Sequence, residues 1–211
     1  MGKEINMYSV IDLETTGGEF NKERIIEIGI IITDGKKVLD SFNELVNPRK
    51  KVDFYVEKLT GIKNKDLENK KEFSHFSERI QQMISNTIIV GHDVQYDYRV
   101  LINEFKKIQV EIKNETFCTF SNFKNKFPEL KSYKLNSLCE HFNIELKNHH
   151  RAYDDAKATF ELFRILNELS CQKEDSYLSC SIAKTEIIFE VGRKMETRSV
   201  ISFVWLRCHC S

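Results

Sequence analysis

The sequence lacks an excess of charge of either sign, because 32 Lys and Arg residues are balanced by 32 Asp and Glu residues. A general basic field that attracts polyanions is therefore excluded, and a nucleic-acid partner would need a local patch or metal ions. The chain also lacks an apolar run of about 20 residues and an N-terminal signal pattern. We therefore expect a soluble, cytoplasmic protein with no membrane partner.

Paired metal-binding cysteines are also missing. The six cysteines show neither the paired spacing of a zinc site nor the density of a secreted scaffold, which predicts reduced thiols. The C-terminal Cys208-His209-Cys210 could bind a soft metal, but no second ligand pair accompanies it.

With 211 residues, 41% of them hydrophobic, the chain is long enough for one ordinary domain, predicted at residues 1–170. Residues 171–211 are predicted to be a linker and a C-terminal tail of unknown role.

An apolar stretch near the N-terminus, Tyr8 to Gly18 (YSVIDLETTGG), carries two carboxylates and then reaches a glycine pair. Side chains alternate along a strand, so Asp12 and Glu14 leave the same face together. Asp and Glu are poor strand formers, and a pair of them beside a glycine turn indicates hard-cation binding or proton transfer. A solvated strand edge is the alternative interpretation.

The rest of the chain predicts an α/β fold that begins with an antiparallel unit. The first strand is followed by two strand-like segments, and an Asp34-Gly35 turn joins these two segments. Helical and strand-like periodicities then alternate along the chain. The predicted later strands are 24–33, 36–46, 87–92 and 115–119, and the predicted helices are 72–84, 94–108, 120–127, 135–142 and a last one ending near residue 169.

Asp97 lies on the apolar stripe of the predicted helix 94–108, four residues before Leu101. A carboxylate on a buried face is costly unless it is paired or bound to a metal, so Asp97 is a candidate functional residue. The alternative is a carboxylate that is favoured by the dipole at a helix N-terminus. Asp93, just before that helix, is predicted to cap it.

Two His-Asp pairs with equal spacing, His149 with Asp154 and His150 with Asp155, open the last helix. At about 100° per residue, Asp155 shares a helix side with three leucines, whereas Asp154 shares the opposite side with two glutamates. The helix face therefore predicts Asp155 and His150 as the functional pair, and His149 as a surface residue.

The ordered motifs resemble the DEDDh 3′–5′ exonucleases, a family that includes the proofreading ε subunit of bacterial DNA polymerase III. The resemblance covers roughly residues 7 to 169, and the Leu59-Thr60-Gly61-Ile62 stretch supports it. It implies a ribonuclease-H-like fold, with a mixed five-stranded sheet and helices on both faces. Its catalytic residues here would be Asp12, Glu14, Asp97, His150 and Asp155, and its substrate contacts would be Leu13, Thr15, Thr16, Gly17, His92 and Asp93. Asp93 is a departure, because the family usually has Asn after the histidine of that motif.

The resemblance implies two-metal hydrolysis of terminal phosphodiester bonds in DNA, with release of nucleoside 5′-monophosphates, in proofreading or repair. Asp12 would bridge two Mg²⁺ (or Mn²⁺) ions, Glu14, Asp97 and Asp155 would complete their ligand shells, and His150 would take a proton from the attacking water. The expected partners are single-stranded DNA or frayed 3′ ends, and the resemblance admits a DNA polymerase as well.

Two alternatives stay open. One is a 3′–5′ exoribonuclease of the ribonuclease T or oligoribonuclease type, because no residue identified here senses a 2′-hydroxyl. The other is an inactive polymerase-docking or nucleic-acid-binding module, and the presence of all five expected catalytic residues argues against it.

Overall fold

The computed structural model describes residues 6–169, which form a sheet flanked by helices. The predicted tail, with its strand-like stretches and the Cys208–Cys210 cluster, lies outside the described residues. The strands are β1 (Tyr8–Thr15), β2 (Ile25–Thr33), β3 (Val38–Leu45), β4 (Ile88–Gly91) and β5 (Thr116–Cys118), and the helices are α1 (Phe54–Thr60), α2 (Asn64–Leu67), α3 (Phe73–Ile84), α4 (Val94–Lys107), α5 (Thr119–Lys126), α6 (Leu135–His141) and α7 (residues 152–169). Among these helices, none has the length and apolar composition needed to span a membrane.

The sheet has the order β3-β2-β1-β4-β5, with β1 at its centre. β1 pairs antiparallel with β2, and β2 pairs antiparallel with β3. β4 runs parallel to β1 on its other side and to β5 beyond it. The predicted mixed five-stranded sheet is confirmed. Because β1 and β4 run parallel, the end of β1 and the start of α4 meet at one edge of the sheet.

Alternation along β1 divides the core between the two faces of the sheet. Ile11 and Leu13 join an apolar cluster with residues of α3 and α4. Val10, on the opposite face, packs in a cluster with Phe160 and Phe163 of α7. Buried residues of α5 and α6 form a further cluster with α7. Helices therefore cover both faces, as predicted, and α7 lies on the face that carries Asp12 and Glu14.

Two short helices, α1 and α2, lie between residues 54 and 67, where the sequence periodicity predicts neither a helix nor a strand. Asp53 starts α1 by accepting the N–H of Tyr55 at 2.8 Å. Gly61, at φ 74°, ends it and donates its N–H to the Glu57 carbonyl at 3.0 Å. With seven and four residues, these helices are too short for a periodic apolar stripe to be recognised.

Candidate active site

Three carboxylates from two distant parts of the chain converge at the carboxyl half of β1. Asp12, Glu14 and Asp155 each place one oxygen within 4.8 Å of the others. Asp12 and Glu14 are half-buried on β1, and Asp155, on α7, is only 4% exposed. The predicted inward orientation of Asp155 is therefore confirmed. An all-oxygen group of this kind suits a hard divalent cation.

Asp97 lies beside this group in the first turn of α4, and its side chain is 5% exposed. Its Oδ1 accepts the backbone N–H of Leu13 at 3.1 Å, which ties α4 to β1 next to Asp12. The predicted burial of Asp97 is confirmed, and this hydrogen bond offsets part of its cost. Its role as a metal ligand stays a prediction.

Burial raises the pKa values of these carboxyl groups, and neighbouring carboxylates add to the rise in Asp12, Glu14 and Asp97. Burial raises the pKa of Asp12 well above its usual range, and the charges of Asp97 and Asp155 add to the rise. Burial, with the charge of Asp155, raises the pKa of Glu14 to about 8. Burial also raises the pKa values of Asp97 and Asp155. Crowded carboxylates whose ionised forms are disfavoured gain most from a nearby cation, so the residues present fit a divalent metal.

The twin histidines both contact Asp155, in different ways. The imidazole Nδ1 of His149 lies 3.1 Å from Oδ1 of Asp155, whereas His150 donates its backbone N–H to Oδ2 at 3.0 Å. His150 adopts a left-handed backbone, at φ 67°, and the two rings stack with centroids 3.8 Å apart. His149 is exposed as predicted, yet its ring reaches the site, which the prediction did not include. The role of His150 as a proton acceptor stays a prediction.

Two residues of β2 that the sequence analysis did not select hold the start of α7. The buried Glu27 accepts Arg151 Nη2 at 2.6 Å and the Ala152 N–H at 3.0 Å. A Cβ on Gly29 would lie 2.5 Å from the Ala152 carbonyl oxygen, so only glycine allows this close approach. One glutamate and one glycine inside an otherwise apolar strand were the available signals. Together they fix the helix end that carries Asp155.

The predicted substrate-contact loop after β1 is held by its neighbours. The hydroxyls of Thr15 and Tyr96 lie 2.8 Å apart, and Thr16 Oγ1 accepts the Arg24 N–H at 3.1 Å. Gly17 has a left-handed φ of 68°, which favours glycine. This loop is thus positioned beside the carboxylate group.

A family model described as exonuclease, RNase_T, matches residues 9–163. The chain belongs to this exonuclease family. The match spans β1, where Asp12 and Glu14 lie, and most of α7, where Asp155 lies. It confirms the predicted enzyme class, an exonuclease hydrolase, at the level of the family.

Curated relatives of this exonuclease are much longer proteins. The 3′-5′ exonuclease DinG of Staphylococcus epidermidis is 31% identical over 204 residues, which cover 92% of this chain and 22% of that protein. A DNA polymerase III PolC-type of Caldanaerobacter subterraneus subsp. tengcongensis is 32% identical over 156 residues, covering 74% of this chain and 11% of that protein. The chain thus spans less than a quarter of the length of these relatives.

Solved exonuclease structures share the fold. Exonuclease I of E. coli, in complex with a dT13 oligonucleotide, has a TM-score of 0.69 and 21% identity, covering 81% of this chain and 43% of that chain. The nuclease domain of 3′hExo, a DEDDh family member bound to rAMP, has a TM-score of 0.66 and 16% identity, covering 80% of this chain and 95% of that chain. The predicted ribonuclease-H-like fold is confirmed, and the resemblance to exonucleases is confirmed through the family model.

His92 and Asp93, the two residues after β4, differ in the contacts that their side chains make. His92 lies 2.9 Å by Nδ1 from Thr119 Oγ1 and donates from Nε2 to the Tyr133 carbonyl at 2.8 Å, so internal partners occupy both ring nitrogens. Asp93 stands at the N-cap position of α4 but its side chain makes no capping hydrogen bond, so the predicted side-chain cap is wrong. Its left-handed φ of 67° differs from the extended backbone that aims an N-cap side chain at the helix amides. The charge of Asp93 instead helps to raise the pKa of Asp97.

Proposed function

We propose that this chain is a metal-dependent 3′–5′ exonuclease that hydrolyses terminal phosphodiester bonds of DNA and releases nucleoside 5′-monophosphates. The convergence of Asp12, Glu14 and Asp155 oxygens within 4.8 Å carries this proposal. Asp97 supports it, because its hydrogen bond to Leu13 holds a fourth carboxylate next to the group. A phosphodiester is itself an anion, so these carboxylates need cations before they can receive one.

The four carboxylates would hold two Mg²⁺ or Mn²⁺ ions. Asp12 is central to this set, because the charges of Asp97, Asp155 and Glu14 all act on it. When bound, such ions lower the pKa of the attacking water and offset charge on the departing oxygen.

His150 would accept the proton of the attacking water. Burial, followed by the charge of His149, lowers the pKa of His150, so the ring is neutral and has a free lone pair at neutral pH. His149 would orient Asp155 through its hydrogen bond to the carboxylate. The Thr15–Gly17 loop, held by Tyr96 and Arg24, would bring backbone close to the terminal nucleotide.

Single-stranded DNA or frayed 3′ ends are the proposed substrates, in proofreading or repair during DNA replication. The likeness to a PolC-type DNA polymerase III and to an exonuclease bound to dT13 supports this choice. The PolC-type relative also supports a DNA polymerase as partner. The proposed compartment is the cytoplasm, where the bacteria that carry those relatives replicate their DNA.

RNA is the second candidate substrate. A fold neighbour, the 3′hExo nuclease domain, is bound to rAMP, and no described residue is identified as sensing a 2′-hydroxyl.

The test compares DNA and RNA strands of matched sequence, labelled at either end, with Mg²⁺, Mn²⁺ or EDTA. We expect stepwise shortening from the 3′ end of DNA, with nucleoside 5′-monophosphate as product and no reaction in EDTA. An Asp12→Asn variant is the matched control against a contaminating nuclease. Reaction that survives EDTA or starts at the 5′ end would contradict the proposal. Faster degradation of RNA than of DNA would favour the second candidate.

A further inference from the structure

We propose that His149, His150 and Asp155 form a second, nitrogen-rich metal site, which takes a transition ion such as Zn²⁺ and switches the exonuclease off when occupied. The three residues offer ligand atoms that all lie within 4.8 Å of one another. Asp155 also belongs to the oxygen group with Asp12 and Glu14, so the two groups share one ligand.

The backbone at His150 creates this second group. Its left-handed φ of 67° is uncommon for a residue other than glycine. In this conformation the rings of His149 and His150 stack with centroids 3.8 Å apart and planes inclined by 26°. Both imidazoles therefore stand beside the carboxylate of Asp155, with His149 Nδ1 only 3.1 Å from it.

The ligand chemistry separates the two groups. Two imidazoles and one carboxylate match the three protein ligands that Zn²⁺ takes in open sites, with further positions left for water. Imidazole suits Zn²⁺, Cu²⁺ and Ni²⁺, whereas groups made only of carboxylates suit Mg²⁺ and Mn²⁺. The His149 side chain is 34% exposed. An ion from solvent can therefore reach the second group.

Occupation of this group has a direct consequence for the proposed reaction. An ion bound there uses the lone pair of His150 that would accept a proton, and it withdraws Asp155 from the oxygen group. Inhibition by Zn²⁺ should therefore occur in the presence of a large excess of Mg²⁺. The binding itself does not depend on the proposed exonuclease activity.

Equilibrium dialysis of Zn²⁺ against the full chain tests the site without nucleic acid. All proteins carry Cys208→Ser and Cys210→Ser, so that the terminal Cys-His-Cys cluster cannot contribute. We expect His149→Ala to bind Zn²⁺ at least about 10–100-fold more weakly, and His150→Ala to show the same loss. His75→Ala, which removes an exposed histidine outside both groups, should bind as the parent does.

A second comparison distinguishes the two groups. Asp12→Asn removes a ligand from the oxygen group alone, so Zn²⁺ binding should persist in that variant. Unchanged affinity in His149→Ala and His150→Ala, or loss of binding in Asp12→Asn, would overturn the proposed site.

Inhibition is then measured against each variant's own Zn²⁺-free rate. The His149→Ala protein should need at least about tenfold more Zn²⁺ for half inhibition than the His75→Ala protein. Equal inhibition of the two would refute the switch, even if the binding site is real. Should no exonuclease activity be found at all, the dialysis still decides whether the site exists.

Discussion

Replacing Asp97 with asparagine separates a role in metal binding from a role in folding. The Asp97 carboxylate is 5% exposed and accepts the Leu13 N–H at 3.1 Å through Oδ1. An asparagine side chain has nearly the same shape and keeps a carbonyl oxygen that can accept the same hydrogen bond. The substitution therefore removes one negative charge from the site and leaves its main contact with β1 in place.

The expected loss of activity is large. Metal ions contribute several kcal/mol of charge stabilisation in reactions of this kind, and that contribution depends on the ligands that hold them. A loss of about 3 kcal/mol corresponds to about a 10²-fold fall in rate, at about 1.4 kcal/mol for each factor of ten. Asp97→Asn should therefore reduce kcat by about 10²-fold or more at saturating Mg²⁺.

The stability of the metal-free protein should change in the opposite direction. Burial raises the pKa of Asp97, so its protonated form is favoured in the folded state. The resulting stabilisation is present below the unfolded pKa of about 4 and is lost as the pH rises through the folded pKa. At neutral pH, without metal, the Asp97 carboxyl thus disfavours folding, because it ionises freely in the unfolded state and not in its buried position. The Asn variant should unfold at the same or a higher temperature than the wild type there.

The assay is the initial rate of shortening of a 5′-labelled DNA strand, measured with thermal unfolding in EDTA on the same preparations. Asp154→Asn is the matched control, because this carboxylate pairs with Asn148 at 2.8 Å and belongs to neither metal-binding group. The control should keep most of its turnover. Near-native turnover of Asp97→Asn would refute the reasoning and leave Asp97 a structural residue.

Three further substitutions test the histidines and the anchoring of α7. His150→Ala should lose about 10²–10⁴-fold in rate, because it removes the proposed proton acceptor, and His149→Ala should lose less. The reverse ranking, measured at equal fold content, would mean that the two rings exchange these roles. Gly29→Ala should lower the free energy of unfolding by about 1–3 kcal/mol in urea titrations, because the added methyl would stand 2.5 Å from the Ala152 carbonyl oxygen. An unchanged free energy would show that α7 can move away from β2 at no cost.

The sheet and the inward-facing carboxylates were predictable, because both depend on local periodicity. Alternation on β1 placed Asp12 and Glu14 on one face, and the helix period separated Asp155 from Asp154. The contact of His149 with Asp155 was not predictable, because it follows from the left-handed backbone at His150, which has no periodic signature.

The anchoring of α7 was also beyond sequence reasoning. Glu27 pairs with a guanidinium 124 positions further along the chain, and spacing alone does not identify such a partner. The expected cap by Asp93 failed for a related reason, because a suitable residue type at a helix start does not determine its backbone angle. Backbone geometry and long-range pairing thus decided the details that local patterns left open.

The strand order has a consequence for the making of the protein on the ribosome. β1 is the first strand in the chain and the centre of the sheet, whereas Asp155 lies in the last described helix. Domains fold as units, and their N-terminal parts leave the ribosome first. The carboxylates of β1 therefore stay without their third partner until α7 has been synthesised and has docked. A nascent chain truncated before α7 would lack Asp155, so under the proposed mechanism it would have neither the complete ligand set nor exonuclease activity.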